Sequence, residues 1–382
     1  MHFSDFDNDR LHAQLSGERF LVTYELFGTE ADCRTAAEEI CVEQSIEFPV
    51  SVVPDGDIPG QIVGRIENFT NAGEDTWKAE ISFCAETAGE FTQFLNVVFG
   101  NFSIKQHVRV AKIELSPSLY SFIRGPRFGI EGIRGLLQEF DRPILMTALK
   151  PMGLSASDFA SLIRVFAENG IQIVKDDHGL ADQKFAPFRD RVKYCCEAAK
   201  DAYERTGKKC LYVPNVTAPF LELRERALYA KECGAGGIMV APGLTGLDAM
   251  KALAEDDEIG LPVFSHPAFS GSNVINRQGF SIPAYYGTVM RLAGADAVIF
   301  PNYGGRFAFT KEECLGIAQA GKEPLRDLKT MIPCPSGGMQ IDRISGMLET
   351  YGKDICLLIG GGLFTCGPDL EKNCRDFVKA VE

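Results

Sequence analysis

The sequence predicts an α/β protein, a (β/α)8 TIM barrel over residues 123–382 preceded by a small α+β, ferredoxin-like domain over residues 1–122. Three observations carry this. The chain has 382 residues, 45% of them hydrophobic, enough for two cores at a prior of ~150 residues per domain. Its apolar pattern has period two as far as Leu115 and then changes to short apolar runs alternating with amphipathic helical stretches. That alternation counts out to eight strand–helix units over about 240 residues, close to the ~250 typical of a (β/α)8 barrel.

In the first domain the segments RFLVTYELFG, QIVGRIENFT, WKAEISFCAE and VRVAKIEL alternate as strands of an antiparallel sheet. One helix is expected among them, at ADCRTAAEEICVEQS. The boundary falls in SPSLYSFIRGPRFG, where Pro117, Gly125, Pro126 and Gly129 cluster. The barrel strands are then PILMTALKP, IQIVKDD, LYVPNVT, GGIMVAP, PVFSHPA, DAVIFPN, KTMIPCPSGG and ICLLIGGG. Helical stretches between them end on Gly170, Gly207, Gly234 and Gly294, which suits left-handed C-caps. A doubly wound open sheet would more often carry a phosphate-binding glycine fingerprint after its first strand, and here that turn reads KPMG.

Charge and cysteine usage narrow the class. With 39 Lys plus Arg against 52 Asp plus Glu the net charge is −13, which argues against nucleic acid as the main partner. No apolar run approaches the ~18 residues of a membrane span, and MHFSDFDNDRLHAQ lacks the basic start and apolar stretch of a secretion signal. The 12 cysteines contain no C-x-x-C pair, and adjacent Cys195 and Cys196 are poorly placed to bridge each other. Reduced thiols in the cytoplasm are the simplest expectation.

A barrel of this type places its chemistry at the C-terminal ends of the strands. Those ends read Lys150; Lys175, Asp176, Asp177 and His178; Asn215; His266; Asn302; Ser336-Gly337-Gly338; and Gly360-Gly361-Gly362. Side chains two apart in a strand share a face, so Lys175 and Asp177 point together into the mouth and Asp176 points toward the helices. Lys175 beside Asp177 reads either as a simple ion pair or as a metal site. In the second case a lysine carbamate turns the amine into an oxygen ligand for a hard ion such as Mg²⁺. The two glycine clusters read either as tight βα turns or as backbone amides open to a phosphate, the usual site after strands seven and eight.

These residues resemble the RuBisCO superfamily. TALKPMGLS is similar to its TIKPKLGLS segment, and GIQIVKDDHGLADQKFAPFRDRV to its Lys-Asp-Asp-Glu block with a downstream Arg-Asp-Arg. PNVTA, SGGMQ and IGGG match in order, and TYELFG, AAEEICVEQS and VFGNFSI fit the small domain, so the resemblance spans nearly the whole chain. It implies that Lys175 becomes carbamylated and binds Mg²⁺ with Asp177, and that Lys150 handles protons at an enediolate. It places His266, Asn215, Ser336, Gly338, Gly360 and Gly361 at substrate contacts, with His266 counted beside Lys150 and Lys175 among the catalytic candidates; Gly337 and Gly362 join the phosphate candidates as members of the same two glycine clusters. Asn101 falls on the asparagine that a partner's N-terminal domain inserts, and Glu43 goes with it, which implies a homodimer with shared sites. Arg306 falls where the carboxylases carry a mobile-loop lysine.

The departures point away from CO₂ fixation, toward a RuBisCO-like protein. The third metal ligand, a glutamate in the family, is His178, which suits Mn²⁺ better than Mg²⁺ or contacts substrate instead. Met152 replaces a lysine, Pro267 an arginine and Ile299 a histidine, the last two weakening the second phosphate site. A substrate with one phosphate is therefore expected. The favoured reaction is decarboxylation of a 3-oxo sugar-acid phosphate. The alternatives are an enolase or isomerase acting on a methylthioribulose-type phosphate, and a non-catalytic regulatory protein. The last helix, DLEKNCRDFVKAVE, closes the eighth unit, and no C-terminal extension of the carboxylase kind is expected.

Overall fold

The alternation in RFLVTYELF becomes β1 (Arg19–Phe27), whose Phe20, Val22, Tyr24 and Leu26 are buried on one face. This computed structural model describes residues 14–53 and 56–382. The reading of the N-terminal leader falls on residues 1–13, outside the described residues. β2 (Arg65–Gly73), β3 (Thr76–Cys84) and β4 (Val108–Glu114) complete the antiparallel set, with β1 between β4 and β3. The expected helix forms at Glu30–Glu43, capped by Thr29, whose side chain accepts from the Asp32 amide. A second helix, Phe91–Phe99, was not expected there. Its Phe91, Phe94, Val97 and Val98 are buried, so the i, i+3 spacing was present in a segment whose aromatic and β-branched residues favour strands.

The barrel strands are β5 (Ile144–Leu149), β6 (Ile173–Asp176), β7 (Leu211–Val213), β8 (Ile238–Val240) and β9 (Val263–Ser265). After the short β10 (Gly279–Phe280) come β11 (Ala297–Pro301), β12 (Ile332–Ser336) and β13 (Cys356–Leu358). Two parallel sheets, β13-β5-β6-β7 and β12-β11-β9-β8, are joined by a parallel bridge between Asn215 and Met239. All eight expected barrel strands are present in that order. Both faces of such strands are covered, which is why they read as apolar runs. Ile144, Met146, Ile173, Val213, Met239, Phe264, Ile299, Ile332, Cys334 and Cys356 form one core cluster with Ile130, Ile133 and Leu137 of the helix Gly129–Leu137. Ile299 is thus core, as its side chain requires. Gly170, Gly207, Gly234 and Gly294 have φ of 91°, 68°, 90° and 87°, the left-handed conformation their capping role needs.

The chain divides into two compact units, and one division differs from the expected 122/123 boundary. Residues 271–285 group with the N-terminal residues up to Arg124. Their β10 adds to the small sheet in parallel with β4, pairing Gly279 with Arg109 and Phe280 with Val110. Two residues of strand carry no periodicity, so sequence pattern could not place them.

Candidate active site

β6 sets the site through its period of two. Asp176 turns outward and is fully buried, 3.2 Å from Arg191 of the helix Phe188–Thr206. It also accepts from the Tyr212 hydroxyl at 2.8 Å and the Asn215 amide at 3.0 Å. Lys175 turns inward, is 2% exposed, and its Nζ donates to the Asp176 carbonyl at 3.0 Å. Burial pushes its pKa down to about 8; Asp177 opposes that shift and Lys150 adds to it.

Asp177 is the hub. Lys150, just past β5, forms an ion pair with its Oδ2, and His178 Nδ1 stands 3.4 Å from its Oδ1. Burial alone would raise this carboxyl, but hydrogen bonds from His178 and Lys150 and the charge of Lys175 hold it well below the ordinary carboxylate range. The His178 ring stacks on His266, centroids 4.8 Å apart and planes 15° off parallel. His266 follows β9, its backbone N–H donating to Val240 at 2.9 Å, while its Nδ1 accepts from the Ala268 amide at 3.1 Å. Burial, then the charge of Lys175 and the neighbouring His178, hold its pKa well below the usual imidazole value. The ring is therefore neutral at pH 7, and since Nδ1 is an acceptor the proton sits on Nε2, aimed away from the backbone as a donor.

The glycine clusters flank this group. Lys150 lies against Gly360, where a Cβ would meet its Cε at 3.4 Å. Gly337 and Gly338 have φ of 84° and 91°, and a Cβ on Gly338 would meet Arg306 Cγ at 3.1 Å, so Arg306 packs directly on this turn. Its own amide donates to the Gly337 carbonyl at 3.0 Å. Gly361 faces open space, and Gly362 packs tightly against the Met339 carbonyl, tying the two clusters together.

Some expected site residues have other employment. Both protons of the Asn215 amide go to the loop after β6, to the His178 carbonyl at 3.1 Å and the Leu180 carbonyl at 2.9 Å, so it positions His178. The Ser336 hydroxyl donates to the Phe300 carbonyl at 2.9 Å. Asn302 is buried and accepts from the Tyr351 hydroxyl at 2.5 Å. Asn101 belongs to the small unit, where its Nδ2 donates to Glu43 at 2.9 Å. Among the described residues no three His, Cys, Asp or Glu side chains form a metal-binding group. Asp177 and His178 supply two donors, and Lys175 is the remaining neighbour. Sequence reasoning missed the Arg191–Asp176 pair as a support for the site; the signal was present in the Arg-Asp-Arg run of FRDRV.

The ribulose bisphosphate carboxylase large chain, catalytic domain, matches residues 129–367. Over 365 residues, 95% of this chain and 98% of the relative, it is 38% identical to ribulose bisphosphate carboxylase-like protein 1 of Rhodopseudomonas palustris. The chain belongs to the RuBisCO large-chain family. This RuBisCO-like protein is also 34% identical to the 5-methylthioribulose-1-phosphate isomerase of Rhodospirillum rubrum, covering 95% of this chain and 96% of that one. It is 34% identical to the 2,3-diketo-5-methylthiopentyl-1-phosphate enolase of Bacillus pumilus, covering 80% and 76%. The crystal structure of a Rubisco-like protein from Rhodopseudomonas palustris superposes with a TM-score of 0.86 at 35% identity, covering 95% and 97%. The RuBisCO-like protein is an enzyme of this superfamily, with the barrel and small domain that its sequence predicts. No helix among its described residues is long and apolar enough to cross a membrane.

Proposed function

We propose that this RuBisCO-like protein isomerises a mono-phosphorylated, methylthio-bearing pentulose by moving a proton between neighbouring carbons through an enediolate. The observation that carries the reading is the cluster at the barrel mouth. Lys150 is held between Asp177 and Gly360, beside a neutral His266 that presents a donor, with a buried lysine of lowered pKa below. Lys150 is the group that takes and returns the proton. His266 Nε2–H hydrogen-bonds the substrate oxygen on which charge develops. The turns at Gly337–Gly338 and Gly360–Gly362, with Arg306, bind the phosphate. No atom is gained or lost, so the cycle needs no oxidant or second substrate.

The donor set fits a divalent ion. Asp177 offers a hard oxygen, His178 a ring nitrogen, and Lys175, whose amine is half neutral near pH 8, forms a carbamate with CO₂ more readily than an ordinary lysine. Mg²⁺, or Mn²⁺ where His178 ligates, would polarise the substrate oxygen and stabilise the enediolate. The twelve cysteines form no disulfide, which supports a cytoplasmic location. A homodimer sharing sites through Asn101 and Glu43 belongs to the same proposal, on the family resemblance.

The decarboxylation favoured on sequence grounds has no counterpart in the reactions named for these relatives, whereas the alternative kept beside it does. The enolase reading is weaker than the isomerase one, because the metal glutamate and the lysine at the Asn101 position that mark the enolases by resemblance are both absent. The test is incubation with 5-methylthioribulose 1-phosphate, Mg²⁺ and bicarbonate in D₂O, followed by proton NMR. Deuterium at carbon and a new pentulose phosphate are expected. CO₂ release from a 3-oxo sugar-acid phosphate, with the pentulose phosphate left undeuterated, would overturn the reading.

A further inference from the structure

The loop between β11 and the helix Lys311–Lys322 carries Arg306 to the glycine turn after β12, and it is tied down at both ends. At the far end Thr310 caps the helix in a reciprocal box with Glu313. At the near end stands the buried Asn302, whose backbone N–H donates to the Ser336 carbonyl at 2.8 Å. Between them the loop lies on the turn backbone to backbone: a Cβ on Gly305 would fall 2.1 Å from the Gly337 carbonyl oxygen. The Asn302 side chain reaches two further elements. Its Nδ2 donates to Met339 Sδ at 3.4 Å, and its Oδ1 accepts from the hydroxyl of Tyr351, the last residue of the helix Ile344–Tyr351. Met339 follows Gly338 directly, and its carbonyl is the one against which Gly362 packs.

One amide thus touches the Arg306 loop, the residue that joins the two glycine turns, and a helix behind them. Its orientation is decided by the stronger of its two bonds. A thioether is a weak acceptor and cannot hold an amide by itself, whereas the Tyr351 hydroxyl donates over 2.5 Å from a buried position. The same helix and loop share a second, half-buried tie, with the Tyr303 and Thr350 hydroxyls 2.9 Å apart. We propose that Tyr351 is a positioning residue of the anion site: through Asn302 it holds the loop of Arg306 against the Gly337–Gly338 turn, so that guanidinium and backbone amides are in place before an anion arrives. Order settled in advance is not charged against binding, which is how a buried hydroxyl acts on a ligand it does not touch. The inference rests on the phosphate reading of the glycine turns for its ligand, and on the contacts alone for the positioning.

Two readouts on the full chain test it, inorganic phosphate binding by calorimetry and trypsin cleavage after Arg306 followed by mass spectrometry. Tyr351→Phe keeps the ring and removes only the hydroxyl. It is expected to bind phosphate about tenfold more weakly and to be cut after Arg306 about tenfold faster, the factor one buried hydrogen bond supplies. Gly305→Ala, whose new methyl lifts the loop off the turn, should reproduce both effects with the hydroxyl intact. A double variant, Tyr351→Phe with Asn302→Leu, removes both polar partners and leaves no buried acceptor unpaired, so its thermal midpoint recovers. Phosphate affinity and resistance to trypsin should stay low in it, and their recovery along with stability would show a merely structural bond and overturn the proposal. The two readings also fail separately. Faster cleavage in Tyr351→Phe, with phosphate bound by no form of the protein, upholds the positioning and sinks the phosphate reading. Phosphate bound equally well by the unaltered protein and Tyr351→Phe, with cleavage unchanged, keeps the phosphate reading and overturns the role of Tyr351.

Discussion

The base and the mouth of the barrel both hold charged groups out of water, but they satisfy them differently. At the base, Asp296 accepts from the amides of Phe128 at 2.5 Å, Gly129 at 2.8 Å and Val263 at 2.8 Å. Arg291 there donates to the carbonyls of Lys329, Glu323 and Leu328. Backbone partners do not move independently of the fold, so these charges fix the register of the helix Gly129–Leu137 and the segment before β12. At the mouth the partners are other titratable side chains. The aspartates respond in opposite directions: burial lifts the carboxyl of Asp296 above its ordinary value despite three amide donors, whereas hydrogen bonds from His178 and Lys150 and the charge of Lys175 hold Asp177 below it. A charge bonded to backbone is architecture; charges bonded to one another can exchange protons and partners.

The sharpest test of that difference is Lys150→Met. It removes the amine proposed to handle the proton, from a partly exposed position, and is expected to lower kcat/KM about 10³-fold, within the range for general acid–base groups, in a steady-state assay. The thermal midpoint should hardly move, because a half-exposed ion pair adds little stability. A large drop in stability instead would make Lys150 part of the framework. The mirror experiment is Asp296→Ala, which leaves three buried amide donors unpaired at about 1–3 kcal/mol each before relaxation. Denaturant titration should show a loss of about 3 kcal/mol or more, with activity per folded molecule retained.

The contrast also marks what was legible in the sequence. The eight strands could be read because strands covered on both faces become apolar runs, and their polar ends stand out at once: Lys150, Lys175, Asp177, His178, His266 and the glycine turns all lie where those ends were expected. Partners remote in sequence could not be read. Asn215 was expected at the substrate, yet it holds the carbonyls of His178 and Leu180, residues 35–37 positions away. The same holds for β10, whose two residues pair with a strand about 170 positions earlier. Asn215→Ala should therefore act through His178: a smaller loss, about tenfold in kcat, with a changed pH profile. An unchanged pH profile with only a raised KM would return Asn215 to direct substrate contact.

The smallest expected effect concerns Lys175 and separates its buried neutral amine from the ordinary surface lysine. Its pKa of about 8 lies below its unfolded value near 10.5. Between those values the unfolded chain binds the extra proton, so stability should rise with pH from about 8 to 10.5, and below 8 the charged amine burdens the fold. Carbamate formation requires the neutral amine. At pH 8 about half of Lys175 is neutral, against about 0.3% for a lysine at 10.5. With ¹³C-bicarbonate, a carbamate signal should therefore grow with a midpoint near pH 8 and vanish in Lys175→Arg. Asp177→Asn removes the charge that most strongly opposes the shift, so the midpoint should move to lower pH. A midpoint that stays put in Asp177→Asn would mean that Lys175 and Asp177 are not electrostatically coupled, and the mouth would then lose the feature that distinguishes it from the base.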